Sequence, residues 1–207
     1  MIPRLYLITD RTLFADEESF YKAVRSALQA GLKAVQLREK DLPAGRLIQM
    51  AYKLQELASG FQANLFINER VDIALCVKAA GVHLGQSGIP PSAIRKIADN
   101  KLMIGVSTHS IQEAITAQTE GADFITYGPV YETPSKIKYG SPVGLASLKE
   151  TTSRLNIPIL GIGGINIENA KDVIASGAVG IALIRGILNN KDIENTVKKY
   201  LSILGEN

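Results

Sequence analysis

Short apolar runs alternate along the chain with stretches of helical periodicity. In four of these runs a glycine follows a helical stretch and a β-rich segment comes next, which is typical of a helix that ends at a left-handed residue before a strand. These four runs lie at residues 30–37, 80–84, 121–127 and 177–183. The other four lie at residues 5–9, 64–67, 102–106 and 157–160. The pattern therefore predicts eight short buried strands.

The stretches between the runs predict helices. Apolar residues recur at helical spacing in residues 17–30 and 43–58, and Ser110 with Glu113 forms a capping box at the start of a helix over 110–120. Strict alternation of strand and helix is typical of a parallel sheet, and eight units favour a closed (β/α)8 TIM barrel over an open doubly wound sheet. No linker or low-complexity segment is visible in the 207 residues, so we expect one α/β domain over residues 1–207.

A pair of glycines predicts a phosphate site late in the chain. The apolar run from Ile159 ends at Gly163 and Gly164, and a helical pattern follows directly. Glycines allow the backbone to turn its N–H groups toward a ligand, and a helix N-terminus adds partial positive charge. The next predicted strand ends at Ile184 and Arg185, and two adjacent strand ends at this place in a barrel predict a phosphate grip. An ordinary tight turn would require the same glycines.

One long connection breaks the regular alternation. Residues 128–144 begin at the carboxyl end of a predicted strand, which is where barrel active sites lie, and they are rich in hydroxyl groups and lysines. A loop of this length in a compact domain is usually functional or disordered. We interpret it as a lid over an anion.

Other polar residues follow the predicted strands. Gln36, Arg38 and Lys40 alternate along the second strand and would point to one side, although a solvated rim paired with Glu39 is the alternative. His109 follows the fifth strand, where an imidazole could serve as a general acid or base, or instead as a capping or surface residue.

Composition and charge narrow the function. A net charge of +3 without a basic block gives no indication of nucleic acid and hints weakly at an anionic substrate. The lone Cys76 excludes an internal disulfide, fits a reducing cytoplasm and is expected to be buried, as is His83 inside an apolar strand. No leader and no apolar run of membrane-spanning length is visible, so we expect a cytoplasmic protein that does not contact membrane. A homodimer is compatible with the sequence.

Metal binding is weakly indicated. The sequence has no histidine pair at helical spacing, no set of cysteines and no close pair of carboxylates. Glu69, next to Asn68, is the one acidic residue at its strand end, and a single carboxylate anchors Mg²⁺ only when substrate phosphates supply further ligands.

Six motifs, in order along essentially the whole chain, resemble those of the thiamine phosphate synthases and the related thiazole tautomerases. The motifs lie at residues 36–40, 67–75, 81–86, 105–110, 133–136 and 161–165. The resemblance implies a barrel enzyme of thiamine (vitamin B1) biosynthesis that binds a phosphorylated small molecule. It implies that the thiazole phosphate is held at Gly164, Ile184 and Arg185, and that a pyrimidine diphosphate is held by Gln36, Arg38, Lys40, Asn68, Ser107, Thr133, Ser135 and Lys136.

Departures from the synthase pattern favour a tautomerase. The decisive departures are at the metal, where synthases typically have aspartates and this chain has Glu69 and Gly88. Synthases usually have a serine where this chain has Arg185, but an arginine could still serve a phosphate. The resemblance therefore suggests a thiazole tautomerase, an isomerase without a cofactor, in which His109 moves the proton. The alternative is a thiamine phosphate synthase, a transferase that uses Mg²⁺ held by Glu69, and the residues at 40 and 133–136 favour it. A non-catalytic regulator that binds the same ligands is a second alternative.

Overall fold

The computed structural model describes residues 2, 4–98, 101–133 and 141–206. Each strand pairs in parallel with its neighbours in chain order, and β1 pairs with β8, so the sheet closes into a barrel. The predicted (β/α)8 TIM barrel is confirmed. The strands are β1 (Leu5–Ile8), β2 (Ala34–Leu37), β3 (Asn64–Asn68), β4 (Gly81–Leu84), β5 (Met103–Thr108), β6 (Phe124–Tyr127), β7 (Ile159–Ile162) and β8 (Gly180–Leu183).

Helices follow the strands and cover the outside of the barrel. They are α1 (Glu17–Gln29), α2 (Ala44–Gly60), α3 (Val71–Cys76), α4 (Pro91–Ala98), α5 (Ile111–Thr119), α6 (Gly144–Arg154), α7 (Ala170–Ala175), α8 (Arg185–Leu188) and α9 (Ile193–Leu204), with a 3₁₀ helix at Arg11–Leu13. In the described part of the chain, no helix is long and apolar enough to cross a membrane.

Alternate strand residues serve two cores. Residues that face outward, such as Leu7 and Ile125, pack against the helices in the larger cluster. Residues that face inward fill the barrel, where Tyr6, Phe66 and Phe124 meet edge to face with ring centroids 5.3–5.8 Å apart. The interior of the barrel is therefore filled by packed side chains and is not an open channel.

The inward positions become polar toward the carboxyl ends of the strands. Asn68 lies opposite His83 on the neighbouring strand, and Ser107 lies opposite Thr126. Gln36 occupies the corresponding level of β2 and is almost fully buried. A polar layer thus lies on top of the aromatic one, where a ligand could reach it.

Two local predictions are wrong. Cys76 is exposed, because α3 has only six residues and turns Val71, Ile73 and Ala74 to the core, which leaves Cys76 at its outer end. The helix expected directly after the paired glycines begins only at Ala170. Asn166 and Asn169 bind the backbone of the intervening turn, so these residues form a loop first.

Candidate active site

A cavity of about 410 Å³ opens at the carboxyl ends of the strands. Its walls come from the strand ends and the loops that follow them, all around the barrel except β4. Its polar side chains come mainly from β2, β3 and β5, and its glycines follow β6, β7 and β8. Apolar residues such as Ile8, Ile162 and Ala182 complete the lining.

The first wall carries most of the side chains that the sequence predicted. Gln36, Arg38, Asn68, Ser107 and Thr133 all line the cavity. The amide of Gln36 donates to the Tyr6 hydroxyl at 3.2 Å, which fixes its orientation from below. Burial raises the pKa of Tyr6, so that hydroxyl stays protonated and can itself donate.

Three predicted contacts are not brought to the cavity. Lys40 is exposed and is not among the residues that line it, because β2 ends at Leu37 and the alternation does not reach residue 40. Ser135 and Lys136 lie outside the described residues. Within residues 128–144, the described positions 128, 129 and 133 line the cavity, and the expected lid stays a prediction.

A buried carboxylate that the sequence did not single out holds Arg38 in place. The side chain of Glu39 accepts the Thr9 hydroxyl at 2.7 Å and the backbone N–H of Arg11 at 3.0 Å. Thr9 in turn accepts the backbone N–H of Arg38 at 3.0 Å. Burial raises the pKa of Glu39, and the Thr9 hydrogen bond partly opposes that shift. Glu39 is therefore not a partner on a solvated rim, since only 5% of this residue is exposed, whereas the exposed Lys40 and Asp41 agree with that alternative.

The second wall consists of the ends of β7 and β8. Gly163 and Gly164 have φ angles of +92° and +67°, a left-handed backbone that side chains disfavour. A Cβ at Gly164 would lie 2.6 Å from the Cβ of Tyr131, so the segment after β6 presses directly on this turn. The side-chain amide of Asn169 donates to the Gly164 carbonyl at 3.0 Å and fixes that peptide.

Next to the glycines, the neighbouring strand β8 leads directly into a short helix. Ile184, Arg185 and Gly186 line the cavity, and α8 begins at Arg185. The two strand ends predicted to hold a phosphate therefore line the same cavity, and the helix that begins there is α8 and not α7. The phosphate site itself stays a prediction.

His109 lies at the rim of the cavity, with its side chain 39% exposed. Its backbone N–H donates to Glu113 Oε2 at 2.6 Å, and its Nδ1 is 3.5 Å from the same oxygen. Ser110 accepts the backbone N–H of Glu113 at 3.2 Å, as a capping box requires. In a usual capping box the Glu113 carboxylate would accept the backbone N–H of Ser110, but here it accepts that of His109. The carboxylate therefore lies beside the His109 imidazole.

Comparison with known proteins decides the family. A family model described as thiamine monophosphate synthase matches residues 5–187. The chain belongs to this family. Thiamine-phosphate synthase of Clostridium novyi is 43% identical over 97% of this chain and 98% of its own length. That of Methanospirillum hungatei is 40% identical over 97% of both. A solved structure, thiamine phosphate pyrophosphorylase from Pyrococcus furiosus, superposes with a TM-score of 0.88 at 36% identity, over 98% of this chain and 96% of that one.

The tautomerase interpretation is wrong. Members of the thiamine monophosphate synthase family that cover nearly the whole chain are named as synthases, which are transferases and not isomerases. The absence of a carboxylate at Gly88 does not exclude a reaction that uses Mg²⁺. Magnesium keeps much of its coordination from water and substrate phosphates, so one protein carboxylate can suffice.

The thiamine monophosphate synthase family implies magnesium, and the donor set here is consistent with a weakly held ion. In the described part of the chain, no three His, Cys, Asp or Glu side chains converge on a metal site. Glu69 has a left-handed backbone, with φ of +59°. Its Oε1 lies close to Gly85, because a Cβ added at Gly85 would be only 2.8 Å from that oxygen. Its carboxylate thus lies between the ends of β3 and β4, next to Gly85, and Glu69 is not among the residues that line the cavity. A single hard oxygen donor of this kind fits magnesium that takes its other ligands from a diphosphate.

Proposed function

We propose that this chain is a thiamine-phosphate synthase, which joins hydroxymethylpyrimidine diphosphate to thiazole phosphate and releases diphosphate. The observation that supports the proposal is one cavity with candidate donors for an anion on two walls. The wall from β2, β3 and β5 supplies side-chain donors, and the wall from β7 and β8 supplies backbone donors and Arg185. Two phosphorylated substrates can therefore face each other in this cavity, which has a volume of about 410 Å³.

The diphosphate belongs on the side-chain wall. Arg38, Asn68 and Ser107 offer one cation and two neutral donors there. Diphosphate carries more charge than a monophosphate ester, and it gains further charge as it leaves, so the richer set of donors suits it. Thr133 and His109 extend this wall, and Lys40, Ser135 and Lys136 are further candidate contacts that the proposal retains.

The thiazole phosphate belongs on the glycine wall. Backbone N–H groups around Gly164 and at the start of α8 suit a monophosphate, and Arg185 adds a cation at the rim. The apolar side chains of Ile8, Ile162 and Ile184 also line the cavity and can hold an aromatic ring. This packing would set the thiazole nitrogen toward the pyrimidine methylene carbon and keep water from competing for it.

The reaction forms one carbon–nitrogen bond as one carbon–oxygen bond breaks, and the electrons leave with the diphosphate. The work of the side-chain wall is therefore to stabilise that charge as it develops. Magnesium, when bound, would neutralise part of the same charge, with Glu69 as its protein ligand. No proton has to leave carbon in this step, so His109 would serve as a donor at the rim and not as a proton carrier.

A steady-state assay tests the proposal. The full chain is supplied with both substrates and Mg²⁺, and thiamine phosphate is measured with and without EDTA. We expect Arg38→Met to raise the KM for the pyrimidine diphosphate by roughly 10–100-fold, because hydrogen bonds to charged groups contribute about 1.5–3 kcal/mol. Arg185→Ala should instead raise the KM for thiazole phosphate. The matched control is Arg46→Met, since Arg46 is exposed and pairs with Glu17 away from the cavity.

Two results would overturn the proposal. A folded protein that forms no thiamine phosphate would contradict it outright. Tight binding of both phosphorylated substrates without turnover would show a ligand-binding regulator instead.

A further inference from the structure

His83 is a buried imidazole within the polar layer, and it does not itself line the cavity. It is 2% exposed and projects from β4 into the barrel, where its ring centroid is 5.7 Å from that of Phe124. Its Nε2 is 3.0 Å from the Ser107 hydroxyl oxygen and 3.4 Å from that of Thr126. Its Nδ1 has no hydrogen-bond partner among the described residues. The function proposed above makes no use of this residue.

The surroundings of Nδ1 select one tautomer. Nδ1 faces Gly105 on the neighbouring strand, so closely that a Cβ there would be 2.6 Å away. A proton on Nδ1 would point at the glycine's Cα hydrogen, and it would be a buried donor without an acceptor, which is rare in folded proteins. A bare lone pair can tolerate the same contact. The proton therefore belongs on Nε2, which donates to Ser107.

Charge on the ring is excluded by its position. A charged ring would carry a proton on Nδ1 as well, and that buried donor would face Gly105 without an acceptor. The ring is thus neutral at physiological pH, and its single N–H is committed to Ser107.

The donation from His83 fixes the role of the Ser107 hydroxyl. A serine hydroxyl has one hydrogen to donate and two lone pairs to accept with. The lone pairs of Ser107 take the His83 N–H and the Thr126 hydroxyl, whose oxygen lies 3.4 Å away. Gln86 donates to the Ser107 carbonyl and fixes the backbone of the same residue. The hydroxyl hydrogen is left for the cavity that Ser107 lines.

We propose that His83 is a positioning residue that turns Ser107 into an obligatory hydrogen-bond donor for an anionic diphosphate oxygen. In the opposite arrangement, Ser107 would donate to the ring and present only lone pairs to an anion, which would repel it. The inference rests on the proposed function, since it assumes that the diphosphate contacts Ser107.

The tautomer can be measured directly on the wild-type chain. The sequence contains two histidines, so a long-range ¹H–¹⁵N spectrum of the imidazole nitrogens assigns both rings with the help of a His109→Gln variant. We expect His83 to carry its proton on Nε2 at neutral pH. A proton on Nδ1 would overturn the proposal without any variant having to fold.

A double-mutant cycle with inorganic diphosphate tests the consequence. Calorimetry at fixed Mg²⁺ gives the Kd of diphosphate for wild type, Ser107→Ala, His83→Leu and the double variant. We expect each single variant to bind about 10-fold more weakly, as for a lost hydrogen bond to a charged group. The double variant should be no weaker than Ser107→Ala alone, because His83 acts through Ser107. His83→Gln should recover part of the affinity, since its carboxamide places a donor near the position of Nε2.

A matched control separates positioning from general packing. Phe124→Leu alters the same barrel interior next to His83 but does not touch Ser107, so it should lower Tm and leave the Kd unchanged. Additive losses in the cycle, or His83→Leu binding as tightly as wild type, would overturn the role of His83 alone. If wild type itself fails to bind diphosphate, both this inference and the diphosphate site of the proposed function are overturned.

Discussion

Two buried ionisable side chains, Glu39 and His83, show how single residues shape the cavity from outside it. Neither lines the cavity, yet Glu39 holds the backbone of Arg38 through Thr9, and His83 contacts Ser107. Both are taken out of water at a cost that a purely structural position would avoid. Their burial is therefore best explained by the residues that they orient.

His83 should leave a measurable trace in the pH dependence of stability. The ring protonates near pH 6.5 in the unfolded chain but only near about 3 when folded. Within that window the unfolded state binds more protons, so the free energy of unfolding falls as the pH is lowered, by up to about 1.4 kcal/mol per pH unit from this residue. Urea unfolding of His83→Gln at pH 7 to 4 should show a weaker dependence than wild type.

His109 provides the matched comparison, since it is the second histidine and its side chain is exposed at the rim. His109→Gln, measured in the same way, gives the contribution of this second histidine. Equal slopes for wild type and His83→Gln would contradict the burial of a neutral ring at this position.

At the scale of elements, the turn after β4 determines what surrounds Glu69. The backbone N–H of Gly88 donates to the carbonyl of Gly85 at 3.2 Å, and Gly85 is the residue against which the Glu69 carboxylate lies. A side chain at residue 88 would meet nothing closer than that carbonyl, 3.3 Å from its Cβ, and the backbone there is not left-handed. The turn can therefore accept a carboxylate with a shift of a few tenths of an ångström.

We expect Gly88→Asp to lower the Mg²⁺ concentration for half-maximal synthase activity, by on the order of tenfold, because an added hard carboxylate strengthens binding of the ion. Titration of activity with Mg²⁺ measures this directly. Gly88→Asn has the same shape without the charge and is the matched control. If the aspartate and asparagine variants require the same concentration, residue 88 does not reach the ion.

The strands were the elements most accessible to prediction. Each is an apolar run with both faces buried, so its burial follows from composition alone. The start of α7 was not accessible in this way, because it depends on hydrogen bonds within one turn between Asn166 and Asn169. The position of Lys40 was missed for a similar reason, since the end of β2 is set by pairing with its neighbours and not by the local pattern.

On the scale of the whole molecule, the two ends of the barrel have separate tasks. The site occupies the carboxyl ends of the strands, whereas the opposite end is fastened by Arg95 of α4. Its guanidinium donates to the carbonyls of Gly121 and Leu102 at 2.8–3.1 Å and to the Asp123 carboxylate at 2.6 Å. This one side chain ties a helix to the beginnings of β5 and β6.

Arg95→Met should therefore reduce stability without changing catalysis. Loss of these bonds costs about 1–3 kcal/mol, which for a chain of this length lowers Tm by about 2–10 °C. The KM values for both substrates should stay at wild-type levels when measured well below Tm. Arg154→Met, which removes an exposed pair with Glu150, should change Tm little. A changed KM in Arg95→Met would show that the two ends are not independent.

The family relationship could be identified from the sequence, because six motifs of the family occur in this chain in the same order. The reaction could not be identified in this way. Motif positions such as Asn68 and Ser107 were recognised one by one, and the structure shows that they share a wall. The choice of reaction depended on how many ligands a metal needs from the protein, and a count of carboxylates does not give that number.

Residues 129–132 pack tightly against Gly163 and Gly164, and this limits which residues can replace the two glycines. Val130 and Tyr131 donate their backbone N–H groups to Ile162 and Gly163, and any Cβ at residue 163 or 164 would collide with this segment. Thr133, on the opposite wall, is the next residue along. In a library of random variants, Gly163 and Gly164 should therefore be among the least replaceable positions of the barrel, because one substitution would damage both halves of the cavity at once.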